Sequence, residues 1–169
     1  MSKKPDSLDK GDWIVHSYYG IGQIKSVETK LIDKEKVRYY KVIAKNSTFF
    51  VPVNNIINDR IRPIASEYRL RKAKKALRST PQSLPDNHND RKKRIQEISS
   101  DRSLDNIAEL IRDLAYRKEI NGLNDFEQNT LQSLEKLFIR EWSIIKDTSE
   151  EEIFHQLEKI IQEEVLEKT

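Results

Sequence analysis

The chain holds four glycines in 169 residues, and three of them fall between Gly11 and Gly22. A chain this poor in glycine places it where the backbone leaves no alternative. Gly20 and Gly22 bracket Ile21 between two runs of apolar, β-favouring residues. That pattern predicts a tight turn that needs a positive φ, or a close approach of neighbouring backbone. The segment from Gly11 to Ile24 therefore reads as the first hairpin of a β module.

More strands follow. Trp13–His16, 21–29, 37–44 and 48–53 are rich in β-branched and aromatic residues. Polar connectors separate them at Asp33-Lys34-Glu35-Lys36 and Lys45-Asn46-Ser47. Pro52 inside the last run favours an edge strand or a strand end. Short strands at this spacing predict a small barrel or a strongly bent sheet. After Arg62-Pro63-Ile64 the period changes from two to 3.6. Helices are expected over 65–78 and about 87–99. A third carries Leu104, Ile107, Ala108, Ile111, Leu114 and Ala115 at 3,4 spacing and ends near Gly122. Asn124-Asp125-Phe126-Glu127 reads as a capping box opening a fourth helix, with Leu131, Leu134, Phe138 and Ile145 as its stripe, widened by Leu137, Trp142 or both. A fifth opens at Thr148-Ser149-Glu150-Glu151 and buries Ile153, Leu157, Ile160, Ile161 and Val165. The expected fold is α+β: residues 1–10 as a flexible N-terminus, 11–64 as a small β-barrel, and 65–169 as an all-α bundle of about five helices.

The net charge of +3 conceals an asymmetry. Arg60 to Arg94 holds twelve Lys/Arg against three acids, whereas Asp147 to the end holds eight acids against two lysines. A dense basic block points to a polyanionic partner; the bland alternative is a pair of solvated helical faces. No apolar run approaches the ~20 residues a membrane span needs. Met1-Ser2-Lys3-Lys4-Pro5-Asp6 offers no apolar core of a secretory signal, so a cytoplasmic location is expected. With no cysteine, thiolate metal sites and disulfides are excluded. His16, His88 and His155 show no ligand spacing, and no phosphate-binding glycine loop or nucleophile motif is present. The expectation is a non-enzyme without cofactor or metal.

Binding is the more productive reading. In Phe49-Phe50-Val51-Pro52-Val53 alternation places Phe49, Val51 and Val53 on one face and Phe50 on the other. Phe50 then either faces a partner from an edge strand or lies against the helical part. Trp13, Tyr18, Tyr19, Tyr39 and Tyr40 invite comparison with an aromatic cage for a methylated lysine, although core and turn packing explains them as well. Arg91-Lys92-Lys93-Arg94 opens a helix after a proline-bounded loop, a place suited to phosphate contact.

Several of these segments, in this order, resemble the CarD/CdnL family of bacterial transcription regulators, whose N-terminal module also occurs in the transcription-repair coupling factor. They are Gly11-Asp12, Val15-His16 with Tyr19-Gly20-Ile21-Gly22, the strand 48–53, Arg62-Pro63-Ile64, and Ile111-Arg112-Asp113-Leu114 with Arg117, Gly122-Leu123 and Glu127. The resemblance implies a Tudor- or SH3-like β module that binds a lobe of the RNA polymerase β subunit. It also implies a helical domain that contacts promoter DNA at the upstream edge of the bubble and stabilises the open complex. Lys30 matches a basic polymerase-contacting position; Phe50, on the same strand as Pro52, matches one that is often Arg. Arg91 and Lys93 match basic DNA-contacting positions, with Arg94 beside them. His88 stands where the family usually carries a tryptophan wedge. Lys30, Phe50 and Pro52 are thus the expected polymerase contacts, and His88, Arg91, Lys93 and Arg94 the expected DNA contacts, in a monomer. Two other readings stay open: an adaptor that has lost DNA binding with the tryptophan, and a free-standing nonspecific nucleic-acid-binding protein.

Overall fold

The computed structural model describes residues 8–55 and 60–167. Of the sequence expectations, the first seven residues of the flexible N-terminus, 56–59 of the β module and the last two residues of the acidic tail fall outside the described residues. The chain divides into two compact units, Met1–Ile64 and Ala65–Thr169.

The first unit is a five-stranded antiparallel sheet in the order β4-β3-β2-β1-β5. The strands are β1 (Trp13–His16), β2 (Gly20–Ile32), β3 (Glu35–Ala44), β4 (Thr48–Pro52) and β5 (Ile61–Pro63), with a 3-10 turn at Val53–Asn55. Ile14, Ile24, Tyr40, Val42, Phe49, Val51 and Ile61 form one buried cluster. That cluster draws on both edge strands, β4 and β5, so the sheet must curl around it. Gly20 sits at φ +81°, as its turn demands. Gly22 serves by its bareness instead: a Cβ there would stand 2.6 Å from Val42 Cγ1 and 3.1 Å from the Ile43 carbonyl oxygen. Leu8 and Asp9 are tied down: the Tyr40 hydroxyl donates to the Leu8 carbonyl at 2.9 Å, and the Asp9 N–H donates to the Asp12 carboxylate at 2.8 Å.

The second unit is helical: α1 (Glu67–Arg78), α2 (His88–Ser100), α3 (Leu104–Ile120), α4 (Asp125–Lys146) and α5 (Glu150–Ile160), the last running into a π-helical turn at Ile161–Leu166. Each helix begins where a side chain can satisfy its free N–H groups: Ser66, Asn87, Ser103, Asn124 and Ser149 are the five N-caps. The capping box at Asn124 and Glu127 forms in both directions. α3 lies at the centre, with Leu104, Ile107, Ala108, Leu110, Ile111, Leu114 and Ala115 buried. Phe138 and Trp142 of α4 and Ile153, Leu157 and Val165 pack into the same core.

Candidate functional site

β4 is an edge strand, and alternation along it buries Phe49 and Val51 while Phe50 and Pro52 point away from the core. Phe50 is 39% exposed. On the neighbouring strand Lys41 lies opposite Phe50, and Tyr39 lies opposite Pro52. Lys30 joins them from β2 by way of a bulge. Ile24 pairs with Val42 and faces the core, but the next pair is Ser26 with Lys41, which leaves Lys25 as the extra residue. Without that insertion Lys30 would share the face of Ile24. With it, the Lys30 ammonium sits 3.6 Å from the centre of the Phe50 ring and 5.9 Å from that of Tyr39. One outward face, three strands wide, therefore brings together Lys30, Phe50 and Pro52. Tyr39 and Lys41, which sequence reasoning did not single out for this face, complete it. A cation held over an aromatic face gains roughly 0.5–1 kcal/mol at an exposed site.

The aromatic-cage idea fails on geometry. Tyr40 is buried in the core and Tyr39 lies on the opposite face. Tyr19 stacks on Phe49 at 4.7 Å. His16 ends β1, and its Nδ1 accepts the N–H groups of Tyr18 and Tyr19 in the turn that follows, at 3.0 and 3.2 Å.

In the helical unit, His88 is the first residue of α2 and is exposed, as are Lys92, Lys93 and Arg94. Four consecutive cations on a helix point around most of its circumference. Arg91 shares its phase with Ile95 and turns inward, where it is only 6% exposed. Its guanidinium pairs with the Glu127 carboxylate and donates to the carbonyls of Pro85 and Asp86 at 3.1 and 2.8 Å. The structure encloses Arg91 and leaves His88, Lys93 and Arg94 exposed, so its guanidinium is an internal brace. Glu127 also takes the Asn124 N–H at 3.2 Å and lies 3.5 Å from Arg117. Burial by itself pushes the Glu127 carboxyl up, but the hydrogen bonds from Arg91 and Asn124 and the charges of Arg91 and Arg117 together hold it below the usual carboxylate range.

A second buried pair was not foreseen from sequence as a structural device. Arg112 donates to Asp113 at 2.8 Å, to the Ala76 carbonyl at 3.0 Å and to the Ser79 hydroxyl at 2.9 Å. Asp113 accepts the Gln82 N–H at 2.8 Å. Arg91 grips one end of the 79–87 loop and Arg112-Asp113 the other, so His88 is presented from a braced corner. Arg94 borders a polar cavity of about 430 Å³ between this loop and α3.

Comparison with known proteins accounts for both units. Residues 8–65 match the CarD-like/TRCF RID domain. Residues 72–158 match the CarD C-terminal domain. The chain belongs to the CarD family. A relative from Bacillus subtilis (strain 168), named "Putative transcription factor YdeB", is 28% identical over 152 residues, covering 85% of this chain and 95% of the relative. In this CarD-family chain the two matched segments fall in different compact units, the sheet and the helices. Among the described residues, no helix is long and apolar enough to cross a membrane.

Proposed function

We propose that this protein is a non-catalytic transcription regulator that holds RNA polymerase with its sheet and promoter DNA with its helical unit. The observation that carries the reading is the outward face where Lys30 caps the Phe50 ring beside Pro52 at a sheet edge. An edge strand has free backbone groups, and a polymerase β-subunit lobe that adds a strand there would find a cation and an aromatic ring next to it. Where the family often uses Arg, Phe50 makes the contact more apolar.

DNA is met by His88, Lys93 and Arg94 at the start of α2, with Arg91 holding that corner in place from inside. These groups offer charge and hydrogen bonds without a base-reading pattern, so the contact is sequence-independent and location comes from the polymerase. An imidazole at His88 has less apolar area than indole, which weakens it as a wedge between base steps. Contacts made preferentially to the opened promoter shift the closed–open equilibrium toward the open form.

The test is a titration of the full chain against the isolated polymerase β lobe, with Phe50→Glu alongside. Saturable binding that the substitution weakens at least about tenfold supports the reading. Absence of binding by folded protein overturns the polymerase half. Binding that ignores the substitution removes Phe50 from the interface.

A further inference from the structure

We propose that the solvent-facing side of α1 is a second nucleic-acid surface, a phosphate track additional to the contact made at α2; the proposal rests on the DNA reading above. α1 buries Leu70, Ala73 and Leu77. The opposite side, an arc of roughly 120° at 3.6 residues per turn, carries Tyr68, Arg71, Lys72, Lys75 and Arg78, all exposed. Among the described residues, no carboxylate pairs with any of these four cations. The nearby acids are engaged elsewhere: Glu67 lies 3.5 Å from Lys146, and Asp105 lies 3.4 Å from Arg69. The charge on this face is therefore uncompensated.

The adjoining Lys74 feels one of these cations, Arg78. Its ammonium lies 4.7 Å over the Trp142 ring. Burial lowers its pKa from the usual lysine range, and the charges of Arg78 and Lys146 lower it further. An anion laid along α1 would relieve that repulsion.

Dimensions favour a nucleic-acid backbone. From Tyr68 to Arg78 the helix rises about 15 Å at 1.5 Å per residue. One strand of B-DNA advances about 3.4 Å per phosphate, so that length faces about four of them. Tyr68, 60% exposed with the Lys72 ammonium 5.8 Å from its ring centre, adds a platform for an unpaired base. An acidic protein fits less well, because lysine is depleted from protein–protein interface cores and this face has one aromatic anchor and no aliphatic one.

The experiment uses the full chain and two fluorescent probes, a duplex and the same duplex with an unpaired tail. Anisotropy titrations run between about 50 and 200 mM NaCl, the range over which phosphate contacts weaken most visibly. The triple variant R71Q/K75Q/R78Q is compared with K93Q/R94Q, and thermal melts show that each is folded. The three α1 residues are exposed and unpaired, so the fold should be indifferent to them. The expected result is a log–log salt slope shallower by about 2 to 3 in the triple variant, at about 0.9 per lost phosphate contact. Tyr68→Leu should weaken the tailed probe at least about fivefold and leave the plain duplex alone. If wild type binds DNA and the triple variant titrates identically, the α1 surface is overturned while the α2 contact stands. If wild type binds neither probe, the DNA reading itself falls and takes this proposal with it. Polyglutamate competing as well as DNA at equal charge would overturn the choice of nucleic acid.

Discussion

Glu127 is a buried carboxylate that stays ionised because two guanidinium groups and a backbone N–H converge on it. Removing its charge leaves Arg91 buried without a counterion, so Glu127→Gln is expected to cost about 3 kcal/mol in urea unfolding at pH 7. The folded carboxyl lies below its unfolded value of about 4.3. The stabilisation is therefore complete above that value and is lost as pH falls through the folded one. Wild type and Glu127→Gln should converge in stability at low pH; a constant gap from pH 7 to pH 3 would show that the carboxylate's charge is not what matters. Part of this was legible. Glu127 reads from sequence as the fourth and last residue of a capping box, and Arg91 keeps helical phase with Ile95 and Ile98. A run of four cations nevertheless reads as a surface until the packing of α4 shows which one is enclosed. Gly22 is a second residue-scale case. The clash of a Cβ with Val42 and with the Ile43 carbonyl predicts that Gly22→Ala lowers stability by about 1–3 kcal/mol, measured by thermal or urea unfolding.

The β2–β3 hairpin is longer than the alternation suggests. Sequence gives strands over 21–29 and 37–44 with a four-residue polar connector. The structure carries the pairing to Ile32 and Glu35 and turns on two residues, with Asp33 at φ 48° and Lys34 at φ 70°. Two positive φ values define a type I′ turn, which usually announces itself with glycine. None is present here, so the turn was hidden. Lys34→Gly relieves a left-handed lysine and should stabilise the protein by a net of about 0.5–1 kcal/mol, after glycine's own entropy is subtracted; unchanged unfolding would mean the strain is absorbed elsewhere. The bulge at Lys25 was hidden for a related reason. It interrupts a periodicity that sequence reasoning must assume continuous, and it is what moves Lys30 onto the Phe50 face. Between helices, Glu135 has its carboxyl pushed up by burial and by Glu158, against a smaller pull from Lys118. A raised folded value means the fold loses stability as pH rises through the carboxylate range, because ionisation is then penalised. Glu135→Gln is expected to raise Tm by about 2 °C at pH 7, with the gain shrinking toward pH 4.

Across the molecule, the change from period-two to period-3.6 patterning made the β-then-α order legible, since each pattern builds its own core. The join is short. The Ile64 N–H donates to the Trp13 carbonyl at 3.1 Å, within the sheet unit. The next residue, Ala65, donates its N–H to the buried Glu141 carboxylate at 2.9 Å, within the helical unit. Consecutive residues are thus committed to different units, and no spare chain lies between them. If one unit grips polymerase and the other DNA on the same assembly, the second contact forms at the effective concentration the join sets. Eight Gly/Ser residues inserted between Ile64 and Ala65 would add a flexible reach of about 16 Å. The affinity for a polymerase–promoter complex should then fall about tenfold, while the affinities for the isolated β lobe and for bare DNA stay as they were. Equal loss in all three assays would indicate damage to a unit rather than to the coupling. An unchanged affinity for the assembled complex would mean that the two contacts are not made at once, and that one unit alone accounts for binding.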